Sequence, residues 1–168
     1  MGKMIRIADM RDVPELMDIY NEAILNTTAT FDTEVKDYQN RVEWFSSHTG
    51  VYRIYVKEIE GKVAGYASLS RYRDRKAFDS AVEISIYIHK EYRGQHIGHE
   101  LMDAILSFAK EQEGIETIIS LIESGNEASI HLHEKYGFTY SGQIRNAGIK
   151  FGKKLSLNAY QIIYDREN

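Results

Sequence analysis

The clearest chemical signal in the chain is Tyr92-Arg93-Gly94-Gln95-His96-Ile97-Gly98, which stands between a strand-like pattern and a helical one. Small residues at such a junction let backbone N–H groups approach an anion at the positive end of the helix, and a pyrophosphate could sit there. The same spacing also suits a helix entry that only needs flexible φ, so the loop alone leaves two readings open. Just upstream, Glu83, Ser85 and Tyr87 alternate with Val82, Ile84, Ile86 and Ile88. Glu83 thus projects from the polar face of a strand, either as an ion-paired surface carboxylate or as an acid–base group. His131 and His133 are two residues apart in a helical segment and cannot face the same side, which argues against a joint metal site. Each reads as a structural histidine or as a proton carrier. The sequence contains no cysteine, which removes thiol nucleophiles, iron–sulfur clusters and cysteine-ligated zinc.

These residues need a scaffold, and the composition supplies one. With 168 residues, 43% hydrophobic and 27% charged, and with only one proline, the chain is expected to form a single domain over 1–168 with a real core. Its formal net charge of -4 argues against a nucleic-acid binder, so any anionic ligand must be held locally. The first residues lack a signal-like apolar run and no segment approaches a membrane span, so a cytoplasmic protein is expected.

A strand is expected over 4–8, then a helix with Asp12 as its cap and Glu15 three residues on. Leu16, Ile19, Tyr20, Ala23 and Ile24 give that helix one apolar stripe, which ends before Thr27. A shorter helix over 38–47 should turn Val42 and Phe45 inward. Residues 52–59 and 63–69 read as an antiparallel hairpin around Glu60-Gly61-Lys62. A strand over 81–89 leads into a helix over 95–112, with Ile97, Leu101, Ile105 and Phe108 facing the core. A buried strand over 115–122, a helix over 126–136, a strand from 138 and a last strand over 158–164 complete a mixed α/β pattern. The crossover makes at least one pair of strands parallel.

Several stretches together resemble the GNAT acyltransferase superfamily, in particular its phosphinothricin and methionine sulfoximine acetyltransferase branch. They are Val63-Ala64-Gly65-Tyr66-Ala67-Ser68, Val82-Glu83 with Ile86-Tyr87-Ile88, Asn126-Glu127-Ala128-Ser129-Ile130-His131-Leu132-His133, Tyr136-Gly137-Phe138 and Lys150-Phe151-Gly152. Arg93 and Gly98 match the family's acetyl-CoA loop (Arg or Gln, x, x, Gly, x, Gly or Ala). His96 stands where glycine is usual, and helical φ with an outward ring is expected for it.

The resemblance implies an N-acetyltransferase with a twisted mixed sheet whose central parallel strands, 81–89 and 115–122, splay to admit acetyl-CoA. Ile86, Tyr87 and Ile88 would hold the pantetheine arm as an added strand. Gly94, Gln95, His96, Ile97, Gly98 and His99, with Arg93, would hold the pyrophosphate. Asn126 and Lys135 would be further coenzyme contacts. Glu83 would be the base, acting through water, and His133 would protonate the departing thiolate or tune the amine. No metal is expected.

For the acceptor, Arg71, Arg73, Arg75 and Lys76 form a basic tip that is either a solvated hairpin or a clamp for an acidic group. Arg73 is the candidate clamp, Phe31 and Phe78 are candidate apolar walls, and Lys150 is a further candidate contact. Lys154 and Ser156 replace the tryptophan and aspartate usual in that branch. A homodimer acetylating a small amino-acid-like amine is expected. Another amine, such as a polyamine, an aminoglycoside or a protein N-terminus, and a non-catalytic CoA-binding module are the alternatives.

Overall fold

The computed structural model describes residues 2–166. Its elements run β1 (Lys3–Ile7), α1 (Val13–Asn26), α2 (Tyr38–Ser46), β2 (Ile54–Ile59), β3 (Lys62–Arg71), β4 (Ala81–Ile88), α3 (Ile97–Lys110), β5 (Thr117–Glu123), α4 (Glu127–Lys135), β6 (Thr139–Lys150) and β7 (Lys153–Ile163). One seven-stranded sheet in the order β1-β2-β3-β4-β5-β7-β6 contains all the strands. Only β4 and β5 are parallel neighbours, as the α3 crossover requires.

Alternation along β4 decides which layer each side chain enters. Val82 and Ile84 face α3, where Ile97, Leu101, Met102, Ile105 and Ala109 are buried in the larger core. Glu83, Ser85 and Tyr87 face the other layer, formed by α1 and α2. There a smaller core joins Leu16 and Ile19 to Val56, Val63 and Tyr66.

The parallel pairing stops early. Only Ala81, Val82 and Glu83 find partners on β5, in Thr117, Ile118 and Ile119. Beyond that point β4 continues beside β3 as far as Ile88, and β5 continues beside β7 as far as Glu123. A wedge opens between them, and the far half of β4 is left with one free edge.

Four local expectations need correction. Asp12 does not cap α1 through its side chain. Its carboxylate takes two bonds from the Arg6 guanidinium, at 2.7 and 2.8 Å, and one from the Asp9 N–H at 2.8 Å. Burial by itself would raise its pKa, but these bonds hold it below the ordinary value. In α2 the most buried residue is Arg41, with Val42 and Phe45 only half-buried, because the Arg41 side chain lies between aromatic rings. α3 starts at Ile97, not Gln95, because His96 is left-handed. Finally, β7 begins at Lys153, well before 158, since Phe151 and Gly152, with φ of 53° and 72°, close a tight hairpin with β6.

Candidate active site

The wedge opens into a groove of about 440 Å³ between the end of α1, the far half of β4 and the starts of α3 and α4. Ile86, Tyr87, Ile88, Arg93, Gly98 and Asn126 all line it, as expected of coenzyme contacts. Asn126 is the N-cap of α4, its side-chain oxygen accepting from the Ser129 N–H at 3.2 Å. Arg93 is steered by an ion pair with Glu22 of α1 at 2.7 Å.

The loop before α3 carries the strongest feature. The first bond closing the helix runs from the Glu100 N–H to the His96 carbonyl at 3.3 Å. The N–H groups of Gly94, Gln95, His96, Ile97, Gly98 and His99 find no acceptor among the described residues. A run of unanswered donors at a helix N-terminus fits an anion with several oxygens. The side chains contribute little: Ile97 is core, Gly94, Gln95 and His96 are exposed, and His99 packs against Tyr136. Lys135, exposed at the end of α4, is not among the residues that line the groove. Gly98 has a packing reason as well, since a Cβ there would lie 3.0 Å from Leu132 Cδ2.

On the opposite side of β4 lies a second cavity of about 370 Å³, lined by Glu83, Ser85 and Tyr87 from β4, Phe31 from the α1–α2 loop, and Leu121 and Glu123 from β5. Tyr87 borders both spaces. Burial raises the Glu83 pKa, and the Arg73 charge partly opposes the rise. A carboxylate whose pKa is raised is a stronger base than an ordinary one and is suited to take a proton from a bound group.

His133 is 3% exposed and sits at the wedge between these spaces. Its Nδ1 is 2.7 Å from the Ser129 carbonyl, which can only accept, so that nitrogen carries the hydrogen. Nε2, 2.9 Å from Ser120 Oγ, therefore accepts from the Ser120 hydroxyl. Burial lowers the ring's pKa, with the Ser129 bond opposing. With its hydrogen on Nδ1 and Nε2 accepting from Ser120, the ring is fully engaged by these two partners and holds no proton on the side of the wedge.

The expected acceptor residues separate. Phe31 lines the Glu83 cavity, and Gly148 lets it approach, since a Cβ there would fall 2.9 Å from Phe31 Cδ2. Phe78 and Arg73 lie outside the cavity, against Tyr72; Arg73 donates to the Tyr72 carbonyl at 2.8 Å. Lys150 is buried and does not line the cavity either; its ammonium donates to the Thr30 carbonyl at 2.8 Å, and so fixes the loop that carries Phe31. Lys154 is exposed, and the Ser156 hydroxyl accepts from the Asn146 N–H at 3.2 Å.

Most of the cavity lining was not anticipated, Glu123, Tyr20 and Arg41 among it. Glu123 accepts from the Thr28 hydroxyl and the Gly125 N–H. Burial, together with the bond its hydroxyl donates to Asp32, raises the Tyr20 pKa to about 12. Arg41 is a charge in a weakly patterned helix, and nothing in the local sequence marks it as a cavity residue.

Residues 15–138 match the model of the acetyltransferase (GNAT) family. The chain belongs to that family. This GNAT protein is 38% identical over 167 residues to the L-methionine sulfoximine/L-methionine sulfone acetyltransferase of Pseudomonas aeruginosa, covering 98% of this chain and 96% of that one. It is 35% identical over 154 residues to the phosphinothricin N-acetyltransferase of Streptomyces coelicolor, covering 89% and 90%. Its fold superposes on a GNAT phosphinothricin acetyltransferase from Sinorhizobium meliloti in complex with acetyl-CoA, with TM-score 0.90, 31% identity and coverage of 97% and 89%. The yncA structure from Salmonella typhimurium, solved with its cofactor acetyl-CoA, gives TM-score 0.94 at 34% identity, covering 99% and 96%.

One departure from the GNAT loop has a measurable consequence. The helical φ expected at His96 is wrong: the residue has φ 60° and ψ 17°, the conformation in which glycine is at ease. A β-branched side chain is worse there, so His96→Val is expected to lower unfolding free energy by about 1–2 kcal/mol. His96→Gly is expected to leave it within about 1 kcal/mol. Urea unfolding of the three proteins checks both.

Proposed function

We propose that this chain transfers the acetyl group of acetyl-CoA to the primary amine of a small amino-acid-like acceptor, as one catalytic domain acting in a ternary complex. The observation that carries the reading is the meeting of two cavities at the β4–β5 wedge, one bordered by unanswered N–H groups and the other by the half-buried carboxylate of Glu83. The names of the relatives supply the acceptor class, methionine sulfoximine and phosphinothricin.

Acetyl-CoA supplies an activated thioester, and this chain's residues would position it. The 94–99 N–H groups take the pyrophosphate, and the free edge of β4 at Ile86 and Ile88 pairs with the amide groups of the arm. In the other cavity Glu83 takes a proton from the acceptor ammonium, directly or through one water. The freed amine attacks the carbonyl carbon, the carbon–sulfur bond breaks, and sulfur leaves as thiolate. The second nitrogen proton, lost as the amide forms, goes to the thiolate, while His133, paired with Ser120 at the wedge, would tune the surroundings of the amine. Arg73, exposed and outside the cavity, attracts an acidic acceptor through its charge. Phe31 forms a wall, and Lys150 holds the Phe31 loop in place.

We further propose that the chain works as a cytoplasmic homodimer. Ile144, Ile149 and Phe151, each more than half exposed on and beside β6, supply an apolar surface for a second copy. Among the described residues no helix is long and apolar enough to cross a membrane.

The test is thiol release from acetyl-CoA with a panel of amines. L-Methionine sulfoximine, L-methionine sulfone and phosphinothricin are expected to give the highest kcat/KM. Preferred turnover of a polyamine, an aminoglycoside or a peptide N-terminus would replace the acceptor class. Binding of acetyl-CoA without turnover of any amine would replace catalysis by a binding role.

A further inference from the structure

Arg41 has no part in the steps described above. It lies in the first turn of α2, is 7% exposed, and lines the cavity that contains Glu83. Its guanidinium carbon is 4.7 Å from the centre of the Tyr20 ring and 4.4 Å from that of Trp44. Those rings favour a cation electrostatically but are poor hydrogen-bond acceptors. Among the described residues no carboxylate pairs with Arg41, and its buried Nε has no partner. Buried charges are nearly always paired, because leaving water without an anion is strongly unfavourable.

The nearby carboxylates are committed elsewhere. Asp32 accepts from the Tyr20 hydroxyl and pairs with Lys36 at 3.7 Å. Glu123 is held by Thr28 and Gly125. Glu83 lines the same cavity but forms no ion pair with Arg41 within 4 Å. Among the described residues no anion is left to pair with Arg41.

We infer that Arg41 receives an oxyanionic group of the acceptor, a carboxylate or a phosphinate, in forked hydrogen bonds, and so selects for acidic amines. The inference rests on the proposed acetyltransferase reading and adds the residue that recognises the acid group. A planar guanidinium already fixed by Tyr20 and Trp44 presents its donors in one geometry, which suits an oxygen pair better than an ammonium would. An acid group held at Arg41 shares the cavity with Glu83, where the amine must lose its proton. Arg73, outside the cavity, can attract such an acceptor but is too exposed to give comparable selection.

The test compares Arg41→Met with the wild type on three acceptors: L-methionine sulfone, its decarboxylated amine, and phosphinothricin. Loss of a charge-assisted fork is expected to raise KM for an acidic acceptor roughly 10- to 100-fold. KM for the decarboxylated amine, already high in the wild type, should change by less than about threefold, and so should Kd for acetyl-CoA. A rise with both acidic acceptors assigns the carboxylate; a rise with phosphinothricin alone assigns the phosphinate. Arg41→Lys, which keeps the charge without the fork, is measured in parallel to guard against a folding defect and should show a smaller rise with the same acceptor dependence. Equal losses with the sulfone and its decarboxylated amine in both variants would make Arg41 a scaffold residue and overturn the inference while leaving the acetyltransferase reading intact. Failure of the wild type on every amine would overturn both.

Discussion

Glu83→Gln is expected to lower kcat with the best acceptor about 100- to 10,000-fold while leaving Kd for acetyl-CoA within about twofold. The separation follows from position. Glu83 lines the acceptor cavity, whereas the coenzyme groove is bordered by Ile86, Tyr87 and Ile88 further along β4. The pH profile carries a second signature. The ionised carboxylate is the form that accepts the proton, and burial raises its pKa from the ordinary glutamate value. Wild-type kcat/KM should therefore fall as pH drops through that raised value, and glutamine should remove this acidic limb. Calorimetric titration of the coenzyme and a pH–rate series decide the matter; parallel losses in binding and turnover would remove Glu83 from the base position.

Gly98→Val is expected to do the reverse, raising Kd for acetyl-CoA at least about 100-fold while saturating coenzyme restores much of kcat. A Cβ at this position already lies 3.0 Å from Leu132 Cδ2, where α3 and α4 meet. Two further methyls must push Leu132 aside or enter the groove that Gly98 borders. Gly98→Ala meets only the movable end of Leu132, and its effect should stay below about fivefold. The two variants, with coenzyme titration and steady-state kinetics, separate blocked access from a general loss of stability. A matching fall in melting temperature and affinity in both would point to stability instead.

The elements that dominate the fold were legible because their periodicity is strong. The α1 stripe from Leu16 to Ile24, the β2–β3 hairpin and the β4 alternation all appear at the expected places. The groove beside β4 was legible for a similar reason: a short motif occupies a strand-to-helix junction, and the backbone N–H groups there are left without acceptors among the described residues. The acceptor side was much less so. Arg73, Phe78 and Lys150 were chosen from local type and neighbourhood, but only Phe31 among the candidate acceptor residues lines the cavity. What lies around Glu83 is set by contacts between α2, the α1–α2 loop and β5, over separations that spacing does not encode. Arg41 illustrates the difficulty, since a charge in a weakly patterned helix ordinarily reads as solvated. His96 was misjudged because its environment had to be traded against a helix start that no local pattern specifies.

The place of β7 between β5 and β6 gives the protein a late-finishing architecture. Lys150, which tethers the Phe31 loop, lies on β6, and β6 is joined to the rest of the sheet only through β7. β6 can therefore join the sheet only once β7 has paired with β5, and until then the Lys150 bond to the Thr30 carbonyl has no fixed strand behind it. The wall beside Glu83 is thus secured through two successive strand pairings and not by the loop that carries it.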